Sequence, residues 1–202
     1  MTASAYVYLA SQSPRRRQLL AQIGVRHELL LPGADEDAEA LEIVRPGELP
    51  EVYCARVTAA KLDAALARLA GRGLPPAPIL CADTTVAVDD LILGKPEDDA
   101  DARRILSLLS GRTHRVITAV AVADASQRVA ALSVSQVEFA PLTAAQIDGY
   151  IISREPFGKA GAYAIQSQAA AWIVNIAGSY SGIMGLPLFE TAQLLEKFGF
   201  EF

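Results

Sequence analysis

One stretch constrains this 202-residue chain more than any other: AYVYLA, SQSPRRR and QLLA, from Ala5 to Ala21. A short apolar run of strand character breaks into a polar loop, and the chain then resumes as a helix. Ser13 suits the N-cap and Pro14 the first helical position, where a missing N–H costs nothing. Arg15, Arg16 and Arg17 fill the first helical turn. The positive end of the helix dipole disfavours cations there by roughly a few tenths of a kcal/mol or more. Free N–H groups, serine hydroxyls and clustered guanidinium groups make sense together around an anion such as phosphate. The alternative is a solvated basic turn that happens to follow a strand.

The rest of the chain continues the alternation of strands and helices. His27 to Leu31 suits a second strand, followed by an acidic loop with Asp35, Glu36, Asp37 and Glu39. From Pro50 to Ala70 the residues Val52, Ala55, Ala59, Leu62, Leu66 and Leu69 recur at three- and four-residue steps, which predicts an amphipathic helix. Lys61 lies beside that stripe, placed either to snorkel to water or to reach a neighbouring site. Ile79 to Ala82 reads as a buried strand and Asp89-Asp90 as a hairpin turn. Asp83 therefore falls at or just past a strand end, where a carboxylate is costly unless paired, hydrogen-bonded or bound to metal. A helix from Asp101 to Ser110 stops at Gly111, and His114–Asp124 and Arg128–Ala140 form a hairpin of long strands. Thr143 with Gln146 makes a capping box for a further helix. Glu155 to Gln166 is either a glycine-rich loop that lets backbone approach a ligand or an ordinary connector. A strand at Ala171–Ile176, a second glycine-rich turn and a closing helix at Leu188–Phe198 complete the chain. The pattern predicts a mixed α/β sheet with helices packed on it, in one domain over residues 1–202.

Composition removes several function classes. The net charge of -5 argues against a general nucleic-acid binder. No apolar run reaches membrane-span length, and the N-terminus lacks the order of a signal peptide. Cys54 and Cys81 have no paired spacing and read as buried free thiols of a cytoplasmic protein. Signatures for nucleophilic serine, Walker-type phosphate loops and zinc sites are missing. His27 and His114 lie far apart in sequence and read as structural. Carboxylates, lysines and arginines remain, a set suited to Mg²⁺ or Mn²⁺ and to phosphate substrates.

Six segments together resemble the Maf family of nucleoside triphosphate pyrophosphatases: LASQSPRR (Leu9–Arg16), ADTTV (Ala82–Val86), GKP (Gly94–Pro96), SGRTHRV (Ser110–Val116), EPFGKAGAYAIQ (Glu155–Gln166) and GSYSGIMGLPL (Gly178–Leu188). They occur in the family's order over nearly the whole chain. The resemblance implies cleavage between the α- and β-phosphates, giving a nucleoside monophosphate and pyrophosphate. It also implies an elongated mixed sheet with two lobes around a central cleft, similar to the inosine triphosphate pyrophosphatases, and a homodimer. Asp83 matches the general base and Glu36 the second acidic residue, with Asp35 and Asp37 as alternatives; Glu36 and Asp83 would hold the metal. Ser11, Arg15 and Arg16 match the phosphate-side loop, and Lys61 and Lys95 the phosphate-binding lysines. In the subgroup acting on dTTP and UTP, the positions that set base choice match Arg15, Thr84 and Gln166. Gln166 is followed here by Ser167, where a glycine is frequent. A nucleotide-binding regulator of septum formation, hydrolysing only incidentally, is the competing reading; it would keep the arginine loop but not need Asp83.

Overall fold

The computed structural model describes residues 6–34, 36–37 and 39–202, with Asp35 outside that set. Its framework is one seven-stranded mixed sheet. Strand β1 (Val7–Leu9) runs through the polar loop into α1 (Pro14–Gln22), whose N-cap Ser13 accepts from the Arg16 N–H and whose first position is Pro14, as the sequence predicts. β2 (His27–Leu29) returns parallel to β1. A short 3-10 turn, Glu39–Glu42, leads to the long helix α2 (Pro50–Gly71). β3 (Ile79–Val88) and β4 (Leu91–Leu93) form the hairpin that turns at Asp89-Asp90. Helix α3 (Asp99–Leu109) precedes the long hairpin β5 (Thr113–Ala123) and β6 (Arg128–Phe139). Then come α4 (Ala144–Ile152), β7 (Ile173–Ala177), α5 (Tyr180–Met184) and α6 (Leu188–Glu196). The capping box of Thr143 and Gln146 is present at the start of α4.

The strand order is β2-β1-β3-β5-β6-β7, with β4 attached to β3. β1 pairs in parallel with β2 and β3, and the other pairings are antiparallel. One apolar core places Leu19 and Leu20 of α1 and Leu194 and Leu195 of α6 against Leu80, Val120 and Val122. On another face, Leu62 and Ala65 of α2 meet Ile79, Cys81 and Ala121. At the far end of the sheet, Ile105, Leu106 and Leu109 of α3 and Ile147 and Tyr150 of α4 close around Phe139, Tyr163 and Trp172. Edge-to-face contacts join these rings: Phe139 to Tyr163 at 4.9 Å and Tyr150 to Trp172 at 5.0 Å between centroids. Such pairs contribute beyond the area that they bury.

Two sequence expectations change. The buried face of α2 is Cys54, Val57, Thr58, Leu62 and Ala65, while Val52, Ala55 and Ala59 face outward. The helix is rotated because it must serve both the sheet, through Cys54, and the cleft, through Tyr53 and Lys61. β3 does not end at Ala82. Thr84, Thr85 and Val86 are β-branched and pair with β5, so the strand continues to Val88 and Asp83 lies in its middle, opposite Ala119.

A gap explains how a mid-strand residue can be accessible. On the side of β3 away from β5, β1 pairs only at Ile79 and Leu80, and β4 only from Val86 to Val88. The backbone between them, Ala82 to Thr85, has a strand neighbour on one side alone. The cleft opens at that interruption.

Candidate active site

The cleft encloses about 850 Å³ and is reached by the loop before α1, the middle of β3, the Gly94-Lys95 turn and the segment Phe157–Gln166. Because side chains alternate along a strand, Asp83 and Thr84 serve opposite faces of β3 and divide the cleft into two walls.

Asp83 faces α2. Its Oδ1 accepts from Lys61 Nζ at 2.6 Å, and the same ammonium donates to Glu42 Oε1 at 2.7 Å. Lys95 Nζ donates to the other Glu42 oxygen at 2.9 Å. Burial alone would lower the Lys61 pKa, but the two carboxylates together raise it above the ordinary lysine value. Burial would likewise raise Glu42, yet Lys61 and Lys95 pull it below the usual carboxylate range. The 3-10 turn carrying Glu42 is tied to α2: Tyr53 Oη donates to the Glu42 carbonyl at 2.8 Å, and Arg56 donates to Glu48 at 2.6 Å and to the Ile43 carbonyl at 2.9 Å. Beneath Asp83, the Cys54 thiol donates to the Asp83 carbonyl at 3.5 Å, and burial pushes that thiol up to about 12, so it stays protonated.

Arg16 organises the other face. Its guanidinium donates to the Gly185 carbonyl at 2.8 Å, to Ser11 Oγ at 3.1 Å and to Thr84 Oγ1 at 3.2 Å. Thr118 Oγ1 lies 3.0 Å from Thr84 Oγ1 and donates to the Gly182 carbonyl at 2.8 Å. Arg16 therefore fastens the loop before α1 to β3 and to α5. Burial lowers its pKa and the charge of Asp83 partly offsets that, so the cation is held by its fixed partners. Ser11 and Thr84 are absorbed in the same clamp. Arg15, next to it, lines the cleft without an ion-pair partner among the described residues. Gln166 lines the cleft with an exposed side chain that makes no hydrogen bond among the described residues.

Glu36 stands elsewhere. It lines the cleft's outer part but is gripped by Arg68, which donates to its two oxygens at 2.6 and 2.8 Å, while the Gly33 N–H donates at 2.9 Å. Those hydrogen bonds, Arg68 first, hold its pKa down at about 2. The carboxylate joined to Asp83 is Glu42. Neither periodicity nor a motif points to Glu42 in the sequence; only Lys61 and Lys95, separated from it by 19 and 53 positions, reveal it. Lys159, in the segment Glu155–Gln166, also lines the cleft, and the sequence reading gives it no role.

Comparison with known proteins places this geometry in a family. The overlap with a nucleoside-triphosphatase / dITP/XTP pyrophosphatase structure from Mycobacterium abscessus is loose, at TM-score 0.43 and 17% identity over 69% of this chain and 76% of the other. Sequence relatives are far nearer. A dTTP/UTP pyrophosphatase from Albidiferax ferrireducens is 63% identical over 98% of this chain and 99% of its own length. Another, from Cupriavidus metallidurans, is 60% identical over 98% of this chain and 100% of its own. A third, from Burkholderia pseudomallei, is 62% identical over 94% and 92%. With a family match running from residue 6 to residue 198, the chain belongs to the Maf-like proteins.

Proposed function

We propose that this protein hydrolyses dTTP and UTP to the nucleoside monophosphate and pyrophosphate, with Asp83 as general base. The observation that carries this reading is the placement of Asp83 at the interrupted edge of β3, inside a cleft lined by basic side chains. The names of relatives about 60% identical over nearly their full length support the substrate class. The chemistry is a water oxygen bonding to the α-phosphorus as the bond from that phosphorus to the bridging oxygen breaks. Pyrophosphate departs with the electron pair, and the water's proton passes to a carboxylate. Lys61 already engages Asp83 Oδ1, and among the described residues the only hydrogen bond to Oδ2 is from the Thr85 hydroxyl at a long 3.5 Å. Oδ2 is therefore the oxygen that can orient the water and take its proton.

The donor chemistry fits a divalent cation. Asp83 and Glu42 are hard oxygen donors that already converge on one positive centre, Lys61 Nζ, at 2.6 and 2.7 Å. These two residues, with Glu36 kept by Arg68, are the ones that would hold Mg²⁺ or Mn²⁺. When bound, such an ion would supply charge to neutralise the phosphates and to make a water more acidic. Arg16 acts by fixing Ser11 and Thr84, and Arg15 and Lys95 face the polyphosphate. Gln166, with both a carbonyl and an NH₂, can pair with adjacent groups on the uracil or thymine edge, whereas cytosine reverses part of that pattern and would leave polar groups unpaired once the base covers this side chain. That mismatch costs about 1–3 kcal/mol, a tenfold to hundredfold preference.

A cytoplasmic homodimer completes the reading. The dimer is supported by an apolar groove at Ala55, Ala59, Ala130 and Leu132 suited to a second copy; among the described residues no helix is long and apolar enough to cross a membrane. The test of the activity is kcat/KM for dTTP, UTP, dCTP and GTP with product analysis, before and after chelation, on the wild type and on Gln166→Ala. Pyrophosphate release from dTTP and UTP, lost with the metal, is expected. Equal rates on all four nucleotides, a diphosphate as first product, or full activity after exhaustive chelation would refute it.

A further inference from the structure

The two walls of the cleft differ in charge. On the α2 wall, Asp83 and Glu42 are matched by Lys61 and Lys95. On the opposite wall stand Arg15, Arg16 and Lys159, and none of them forms an ion pair among the described residues. Arg16 is spent on Ser11, Thr84 and Gly185. Lys159 donates to the Glu155 backbone carbonyl, while the Glu155 carboxylate accepts from Tyr150 Oη at 3.1 Å. Two cations, Arg15 and Lys159, thus line the same side of the cleft without an ion pair among the described residues, the Glu155 carboxylate acting on Lys159 only at longer range.

The backbone holds Lys159 there by unusual means. Gly158, Gly161 and Ala162 are all left-handed, at φ 72°, 70° and 59°. Ala162 is fully buried, so its conformation is imposed by its surroundings. The Gly161 N–H donates to the Gly94 carbonyl at 3.0 Å, beside Lys95. A Cβ on Gly161 would stand 2.8 Å from both γ-carbons of Val86, so the segment lies directly on β3. Arg15 and Lys159 both line the cleft, and burial, then the charge of Arg15, bring the Lys159 pKa below its ordinary value against the opposing charge of Glu155.

We infer that Lys159 and Arg15 form the seat of the β- and γ-phosphates, so that the leaving pyrophosphate departs along the unneutralised wall of the cleft. This assignment rests on the nucleotide pyrophosphatase reading and gives it a direction. The α-phosphate lies at the Asp83 edge of β3, and the phosphates beyond it point toward the start of α1 and the Gly158–Gly161 turn. Lys159 is then a substrate-binding residue that stabilises charge on the leaving group.

The test measures binding of inorganic pyrophosphate and of dTMP separately, by calorimetry on the wild type, Lys159→Met, Lys159→Arg and Arg15→Met. Loss of one charge-assisted contact should weaken pyrophosphate binding about tenfold to hundredfold in Lys159→Met and Arg15→Met. The affinity of Lys159→Met for dTMP should stay within about twofold of wild type, and Lys159→Arg should recover most of the pyrophosphate affinity. An unchanged pyrophosphate affinity in Lys159→Met, or an equal loss for dTMP, overturns the assignment. Wild-type turnover of dTTP, measured alongside, reports on the underlying activity whichever way the binding falls.

Discussion

Replacing Glu42 and Glu36 separately by glutamine distinguishes the two carboxylates that could stand with Asp83. Glu42→Gln removes the negative charge held by Lys61 at 2.7 Å and Lys95 at 2.9 Å. Each charge-assisted hydrogen bond is worth about 1.5–3 kcal/mol at most. The amide keeps one acceptor, and the Lys95 side chain is 51% exposed, so solvent screening brings the net stability loss to about 1–2 kcal/mol. The functional loss is larger. Disturbing a metal's outer partners already costs about 10–100-fold in affinity, so losing a direct ligand should lower Mn²⁺ affinity and dTTP turnover by at least about a hundredfold. Glu36→Gln should do the reverse. Arg68, with a side chain only 6% exposed, loses its charge partner, so the melting temperature falls while Mn²⁺ affinity changes little. The assays are Mn²⁺ titration by calorimetry, steady-state pyrophosphate release and urea unfolding. Loss of metal binding in Glu36→Gln with near-normal binding in Glu42→Gln would refute the assignment of Glu42.

Asp83→Asn should fold and bind nucleotide yet lose at least about a hundredfold in turnover; a folded variant with near-normal rates would remove Asp83 from the base role. A separate pH dependence comes from His114, which is buried with Nε2 2.8 Å from Tyr163 Oη and is held at about 4 by burial. The unfolded chain takes up that proton near the ordinary value of about 6.5, so between the two values the unfolded state binds more protons and stability falls with falling pH. The fall reaches at most about 3 kcal/mol, and an equally steep decline in His114→Gln would show that other groups cause it.

The parts of the fold written in local chemistry were legible. Ser13 with Pro14, Thr143 with Gln146, and the Asp89-Asp90 turn all depend on atoms a few residues apart, and all appear where the sequence places them. The α2 face was misplaced because alanines at positions 55 and 59 satisfy a helical period equally well inside or outside, and the competing demand of the cleft on Tyr53 and Lys61 is not a local property. The sequence places Asp83 at or just past a strand end because the apolar run Ile79–Ala82 stops before it; the interruption lies instead in the neighbouring strands, β1 and β4. Glu42 was invisible for a related reason. Its partners come from α2 and from the turn after β4, and no spacing within the acidic segment distinguishes it from Glu36.

The long strands also limit how the cleft can work mechanically. β3, β5 and β6 comprise 10, 11 and 12 residues and run unbroken past the interruption, bonded to one another along most of their length. Opening the cleft as two hinged jaws would mean bending three hydrogen-bonded strands at once. Admission of a nucleotide therefore falls to the side chains and turns at the rim, where Lys61 and Lys95 are held by Glu42. The cleft is built on a stiff frame, and its adjustable parts are the groups at its mouth.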